Sequence, residues 1–128
     1  MTIYVDNSRH MDTNTAIDAF SALAQPTRLE AFRMLAANEP KGLPAGEVAR
    51  ALKVPHNTMS THLALLMRAG LVTSKRQGRS VIYCASIDGL RSLILFLLQD
   101  CCGGRSELCA PLIADLQPCC SSKEKKRA

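Results

Sequence analysis

The sequence predicts a mainly α fold of the α+β class, in which a helix-turn-helix runs into a β-hairpin and one more helix closes the domain. Three observations carry this expectation. Two short amphipathic stretches, 45–52 and 55–70, are separated only by the turn at Lys53-Val54-Pro55, which is how helix-turn-helix units are joined. Residues 71–86, LVTSKRQGRSVIYCAS, form two alternating arms around a Gly-containing break, the pattern of a hairpin. Aromatic residues make up 4% with no Trp, so the core must be Leu, Ala, Val, Ile and Met, a composition that suits helices.

Residues 1–12 lack periodicity and are expected to be poorly ordered. A helix follows from about Asn14, capped by Thr13 or Asn14, with Ile17, Phe20 and Leu23 as its apolar side. Gln25-Pro26-Thr27 breaks it, and Pro26 fits the first turn of a second helix. There Leu29, Phe32 and Leu35 should face inward, and Arg28, Glu30 and Arg33 outward, until Glu39-Pro40-Lys41-Gly42 stops the chain.

Ala45–Leu52 is the third helix, packed through Val48, Ala49 and Leu52. In the fourth, Pro55 suits the first turn. Leu63, Leu66 and Met67 recur at helical spacing as a buried stripe, and Gly70 takes the C-terminal cap. Its leading end is polar: His56, Asn57, Thr58, Ser60 and Thr61. Hydrogen-bonding side chains at the front of a helix that is packed behind are what reading a DNA major groove requires. Lys75, Arg76 and Arg79 are expected at the hairpin tip, placed to hold phosphate. A last helix starts at Ile87-Asp88-Gly89-Leu90, with Leu90, Leu93, Ile94, Leu97 and Leu98 on one face and Leu95 and Phe96 on the other. That is more apolar surface than one small domain covers, so a second subunit is expected.

Net charge is +5 over 128 residues. Nine Lys/Arg face three Glu between Pro26 and Tyr83, so the basic excess coincides with the candidate reading helix, the footprint of a nucleic-acid binder. The longest apolar run, Leu93–Leu98, is too short to span a bilayer, and Asp6, Asp12 and Asp18 interrupt any leader-like run. A cytoplasmic protein is expected, with no membrane partner.

Six cysteines occur: Cys84, Cys101, Cys102, Cys109, Cys119 and Cys120. Consecutive Cα atoms lie about 3.8 Å apart, below the roughly 4.4–6.8 Å of disulfides, so neither adjacent pair should close on itself. Clustered cytosolic thiols point to metal binding, redox sensing or catalysis. A thiol oxidoreductase would want Cys-x-x-Cys near a βαβ unit, and structural zinc favours Cys-x₂₋₄-Cys; neither is present. No enzyme is expected.

From Asn14 to Cys102 the order of elements resembles the ArsR/SmtB family of metalloregulatory repressors. The resemblance is carried by Leu23-Ala24-Gln25-Pro26-Thr27-Arg28-Leu29, by Glu47-Val48-Ala49, by Ser60 to Leu66 with Ala69-Gly70-Leu71-Val72, and by Lys75-Arg76-Gln77-Gly78-Arg79 through Tyr83. It implies a homodimeric winged helix-turn-helix of topology ααααββα. It assigns residues 13–102 to DNA binding and dimerisation through the terminal helix, and 103–128 to a cysteine-containing tail. Such proteins repress an operon and leave operator DNA when a metal or metalloid binds. Arg28 and the basic hairpin are then phosphate contacts, and His56, Asn57, Thr58, Ser60 and Thr61 face bases or nearby phosphates, whereas His62 is expected to cap or pack.

Leu43–Ala49 lacks the cysteines of the family's "E-L-C-V-C" site. The last helix carries Asp88 and Asp100 but no His, and His10, His56 and His62 lie elsewhere. Cys101-Cys102 followed by Cys109 is similar to arsenic-responsive members whose cysteines end the terminal helix. As(III) is soft and takes three thiolates. Neighbours on an intact helix point about 100° apart, but Gly103-Gly104 would release Cys101 and Cys102 toward one centre and let Cys109 fold back. Cys119 or Cys120 could replace Cys109. Methylarsenite needs only two thiolates, so Cys101 and Cys102 alone would bind it. Antimonite as inducer, and thiol oxidation as the trigger in the same fold, stay open.

Overall fold

The computed structural model describes residues 11–101 with residues 110, 111 and 115. The expectation of disorder over 1–12 falls almost wholly outside that range, as do Cys102, Cys109, Cys119 and Cys120 and most of the 103–128 tail. The elements are α1 (Thr13–Leu23), α2 (Pro26–Ala37), β1 (Leu43–Pro44), α3 (Ala45–Leu52), α4 (His56–Arg68), β2 (Val72–Gln77), β3 (Ser80–Ala85) and α5 (Ile87–Cys101). The expected ααααββα order holds. One strand is added: β1 joins the hairpin to give an antiparallel sheet of order β1-β3-β2. Leu43 pairs with Tyr83 and Pro44 with Ile82. Two residues of strand leave no period in a sequence, which is why this one was not foreseen.

The helix ends follow local chemistry. The α1 cap is Asp12, not Thr13 or Asn14: its Oδ1 accepts from the Thr15 amide at 2.8 Å. A carboxylate is the stronger acceptor at the positive end of a helix, and hydrogen bonding from the Thr15 side chain, then from its amide, holds the Asp12 carboxyl below its ordinary value. Gln25 caps α2 through Oε1 to the Arg28 amide at 2.8 Å, with Pro26 in the first turn as expected. Both α3 and α4 end in Schellman motifs. The Val54 amide reaches Ala49 O and Lys53 reaches Arg50 O, with Lys53 left-handed at φ 60°. Likewise Leu71 reaches Leu66 O and Gly70 reaches Met67 O, with Gly70 at φ 81°.

The chain divides into two compact units at Leu93/Ile94. The core of the first comprises Ala16, Ala19 and Ala22 of α1; Ala31, Phe32 and Leu35 of α2; Ala45, Val48 and Ala49 of α3; Met59, Leu63 and Leu66 of α4; Leu71 and Val72; Ile82, Cys84 and Ala85 of β3; and Leu93. Four expectations about packing change. Alanines at three-residue spacing, not Ile17 and Phe20, are the inner side of α1, because small residues let α1 approach α2 and α4 closely. Leu29 lies on the surface and Ala31 takes the inside. Met67 is exposed, whereas Met59 is fully buried. Leu52 is only half-buried. In each case more apolar positions satisfy a 3.6-residue period than one face can hold. In the second unit Ile94, Leu95 and Leu97 of α5 are exposed. No described helix is long and apolar enough to cross a membrane.

Candidate nucleic-acid interface and thiol site

Helix α4 has two faces of different chemistry. Met59, Leu63 and Leu66 are fully buried, while His56, Asn57, Thr58 and Thr61 are exposed and Ser60 is half-buried. Pro55 stands just outside the helix as an extended N-cap (φ −60°, ψ 149°) and supplies no side-chain cap; it had been expected inside the first turn. The first amides of α4 therefore have no capping side chain and are free to meet a phosphate oxygen. The Thr61 hydroxyl donates to the Asn57 carbonyl at 3.2 Å, leaving its lone pairs outward. The side chains of Asn57 and Thr58 make no hydrogen bond among the described residues, so their donors and acceptors remain available. Helix α3 packs across the start of α4: a Cβ on Gly46 would lie 3.5 Å from Cδ2 of His56.

The hairpin projects beyond the core. Every residue of β2 after Val72 is exposed. The turn is shorter than the basic break suggested: β2 and β3 pair from Val72–Ala85 to Gln77–Ser80, leaving only Gly78 and Arg79 as the loop. Gly78 has φ 62° at the first loop position, where a two-residue hairpin turn favours Gly. Of the three basic residues expected at the tip, Arg79 is there. Lys75 and Arg76 lie within β2, opposite Ile82 and Val81, and so address opposite faces of the strand. None of the three is ion-paired among the described residues.

Arg28 is placed differently from the basic hairpin. It is half-buried where α1, α2 and α4 meet. Its Nε donates to the Ala22 carbonyl at 2.6 Å, and Nη1 lies 3.4 Å from Nδ1 of His62. Burial, then the Arg28 charge, holds the His62 pKa below its ordinary value. His62 thus packs, as expected. Sequence reasoning missed the junction because its members are 6 and 34 residues from Arg28.

A second unforeseen contact joins α4 to α5. Ser86 caps α5, accepting from the Gly89 amide at 3.0 Å, while its own amide donates to Leu71 O at 2.8 Å. This presses Gly89 against the turn after α4. A Cβ on Gly89 would overlap the Gly70 carbonyl oxygen and come within 3.1 Å of its carbon. Two glycines 19 residues apart gave no pattern to find it by.

Of the thiols, Cys101 is the last residue of α5. Its expected companions Cys102, Cys109, Cys119 and Cys120 lie outside the described residues. Among the described residues no group of three or more His, Cys, Asp or Glu could hold a metal ion. Cys84 is buried and free, with Sγ 3.9 Å from Pro40 O and Gly42 tight against it, which makes it a packing residue.

A helix-turn-helix whose second helix exposes a polar front, followed by a basic wing, defines a DNA-binding regulator of transcription. Residues 23–75 match the family described as a helix-turn-helix domain. The chain is 32% identical over 98 residues to the transcriptional activator HlyU of Vibrio cholerae, a match covering 75% of this chain and 88% of HlyU. The solved structure of reduced HlyU superposes with a TM-score of 0.53 at 29% identity, covering 79% of this chain and 99% of that one. The homodimeric winged helix-turn-helix domain of Mb0332 from Mycobacterium bovis, a possible ArsR-family regulator, gives 0.56 at 26% identity over 66% of this chain and 77% of that one. A possible transcriptional regulator for arsenical resistance gives 0.56 at 25% identity over 77% and 95%. The chain belongs to the ArsR family of winged helix-turn-helix transcriptional regulators.

Proposed function

We propose that this regulator is a homodimeric repressor that binds operator DNA and leaves it when trivalent arsenic binds Cys101, Cys102 and Cys109. The observation that carries the reading is the position of Cys101. It is the last described residue of α5, and in the sequence Cys102 and Gly103-Gly104 follow it at once. A thiol pair followed by two glycines suits a pyramidal soft ion, and the similarity to a possible regulator for arsenical resistance supports it. Cys119 and Cys120 are alternative third ligands.

DNA is met by His56, Asn57, Thr58, Ser60 and Thr61 from α4 and by Lys75, Arg76 and Arg79 from the wing. The two α4 helices of a dimer would sit about one DNA turn apart, roughly 34–36 Å. The partner copy would cover apolar surface left exposed on α1 (Ile17 and Phe20) and on α5 (Ile94 and Leu97), as the homodimeric Mb0332 domain supports. Arsenic at the end of α5 alters packing in that interface, and α4 loses the spacing. A coupling of about 1–3 kcal/mol is typical of such switches.

Titration of the operator-bound protein with arsenite, methylarsenite, antimonite, Zn(II) and Cd(II) under reducing conditions, and with peroxide in the absence of reductant, tests this. Arsenite should release DNA from the wild type and not from Cys101→Ser. Release by methylarsenite but not arsenite in Cys109→Ser identifies Cys109 as the third ligand. Release by peroxide alone instead favours a thiol-oxidation trigger, the second reading, which the similarity to a protein solved in a reduced form supports.

A further inference from the structure

We propose that Arg28 is a positioning residue for the reading helix rather than a phosphate contact: it ties the carbonyl end of α1 to the unprotonated ring of His62 and so sets the pose of α4. This rests on the reading of α4 as the helix that enters DNA.

Three helices contribute. Ala22 lies in the last turn of α1, whose carbonyls have no partner within the helix. The guanidinium of Arg28, from the first turns of α2, satisfies that carbonyl at 2.6 Å and carries the positive charge a helix C-terminus favours. On its other side Nη1 lies 3.4 Å from Nδ1 of His62, in the middle of α4. Arginine has only donors and does not deprotonate. Nδ1 of His62 must therefore accept, with its proton on Nε2. Two of the fork's nitrogens are thus committed inside the protein, on a side chain that is itself half-buried.

The same geometry makes the junction sensitive to protonation. An imidazolium has no acceptor at Nδ1 and would set two cations face to face. Arg28 of α2 is the charged group facing His62, and no carboxylate pairs with it among the described residues. Burial and the Arg28 charge both already disfavour the charged ring. Stability that depends on the neutral ring is complete above the ordinary histidine value of 6.5 and is lost as the pH falls from there through the lowered folded value.

The test uses the full-length chain and a fluorescein-labelled duplex selected by the wild-type protein from random sequence. Affinity is measured against salt at pH 8, and against pH from 8 to 5 at fixed salt. A phosphate contact tolerates Lys in place of Arg, and its loss in Arg28→Ala flattens the slope of log affinity against log salt by about 0.9. A fork bridging two helices does not tolerate Lys. Arg28→Lys should therefore lose at least about tenfold in affinity, with the wild-type salt slope kept in both Arg28→Lys and Arg28→Ala. His62→Gln keeps an acceptor that cannot be protonated. Relative to its own value at pH 8, its affinity should fall less at pH 5 than that of the wild type, since every other side chain is common to both proteins. Wild-type affinity in Arg28→Lys, a flattened slope in Arg28→Ala, or identical pH profiles for wild type and His62→Gln would each overturn the proposal. The pH comparison decides it even where the Arg28 variants fail to fold. If no duplex is selected, the reading of α4 fails first and the proposal with it.

Discussion

Helix α5 carries more apolar residues than α4, yet among the described residues it buries fewer of them. In α4 the apolar side chains at 59, 63 and 66 are all at 0% exposure, Met67 is its one exposed large apolar residue, and its leading end is polar. Among the described side chains of α5 only Leu93 is buried, while Ile87, Ile94, Leu95 and Leu97 are exposed, Leu95 at 55% and Leu97 at 51%. The core of one chain holds α4 in place. The apolar surface of α5 is completed by whatever covers it, which on the proposed reading is a second copy. On that reading one subunit builds a reading head, and a dimer sets the distance between two of them.

The largest test of this contrast compares a leucine from each helix. Leu63→Ala removes a side chain from a close-packed site and should cost about 3 kcal/mol. Leu95→Ala should change stability by less than about 1 kcal/mol. Thermal or urea melts at one protein concentration compare them, and equal losses would erase the distinction between the helices. Gly89→Ala comes next. Its Cβ meets the Gly70 carbonyl, backbone that cannot swing aside, and the forced shift should cost about 2 kcal/mol. Gly70→Ala meets nothing within 4 Å and should lose only about 1 kcal/mol, through its positive φ.

Ile94→Asp places a charge on the exposed face of α5. It should raise the dimer dissociation constant at least about tenfold, as loss of one buried aliphatic side chain implies, while far-ultraviolet circular dichroism keeps its helical signal. Sedimentation velocity gives the measurement, and an unchanged dimer would place the subunit contact elsewhere. The smallest effect is a gain. Lys53 holds a left-handed conformation that Gly adopts without strain, so Lys53→Gly should stabilise by up to about 1 kcal/mol in a urea melt.

Much of the fold was legible because it rests on local rules. The break at Gln25-Pro26, the turn at Lys53–Pro55, the Gly70 cap and the alternating arms around Gly78 each announce an element boundary. The polar leading end of α4 and the basic hairpin were visible for the same reason, since residues close in sequence form them. Choosing among apolar residues was less secure. Leu29 and Ala31, or Met59 and Met67, satisfy helical periodicity equally well, and only the position of neighbouring helices selects between them.

By itself, then, the sequence determined the helices, the hairpin, their order and the chemistry of the surface proposed to meet DNA, because propensity, capping and periodicity act over a few residues. Tertiary structure alone decided which side of α1 faces inward, that Leu43-Pro44 completes a sheet, that Gly89 lies on the Gly70 carbonyl, and that Arg28 turns toward His62. Each is a meeting of groups far apart in the chain. Whether they meet depends on the angle and closeness at which packed helices cross, and no short stretch of residues specifies that.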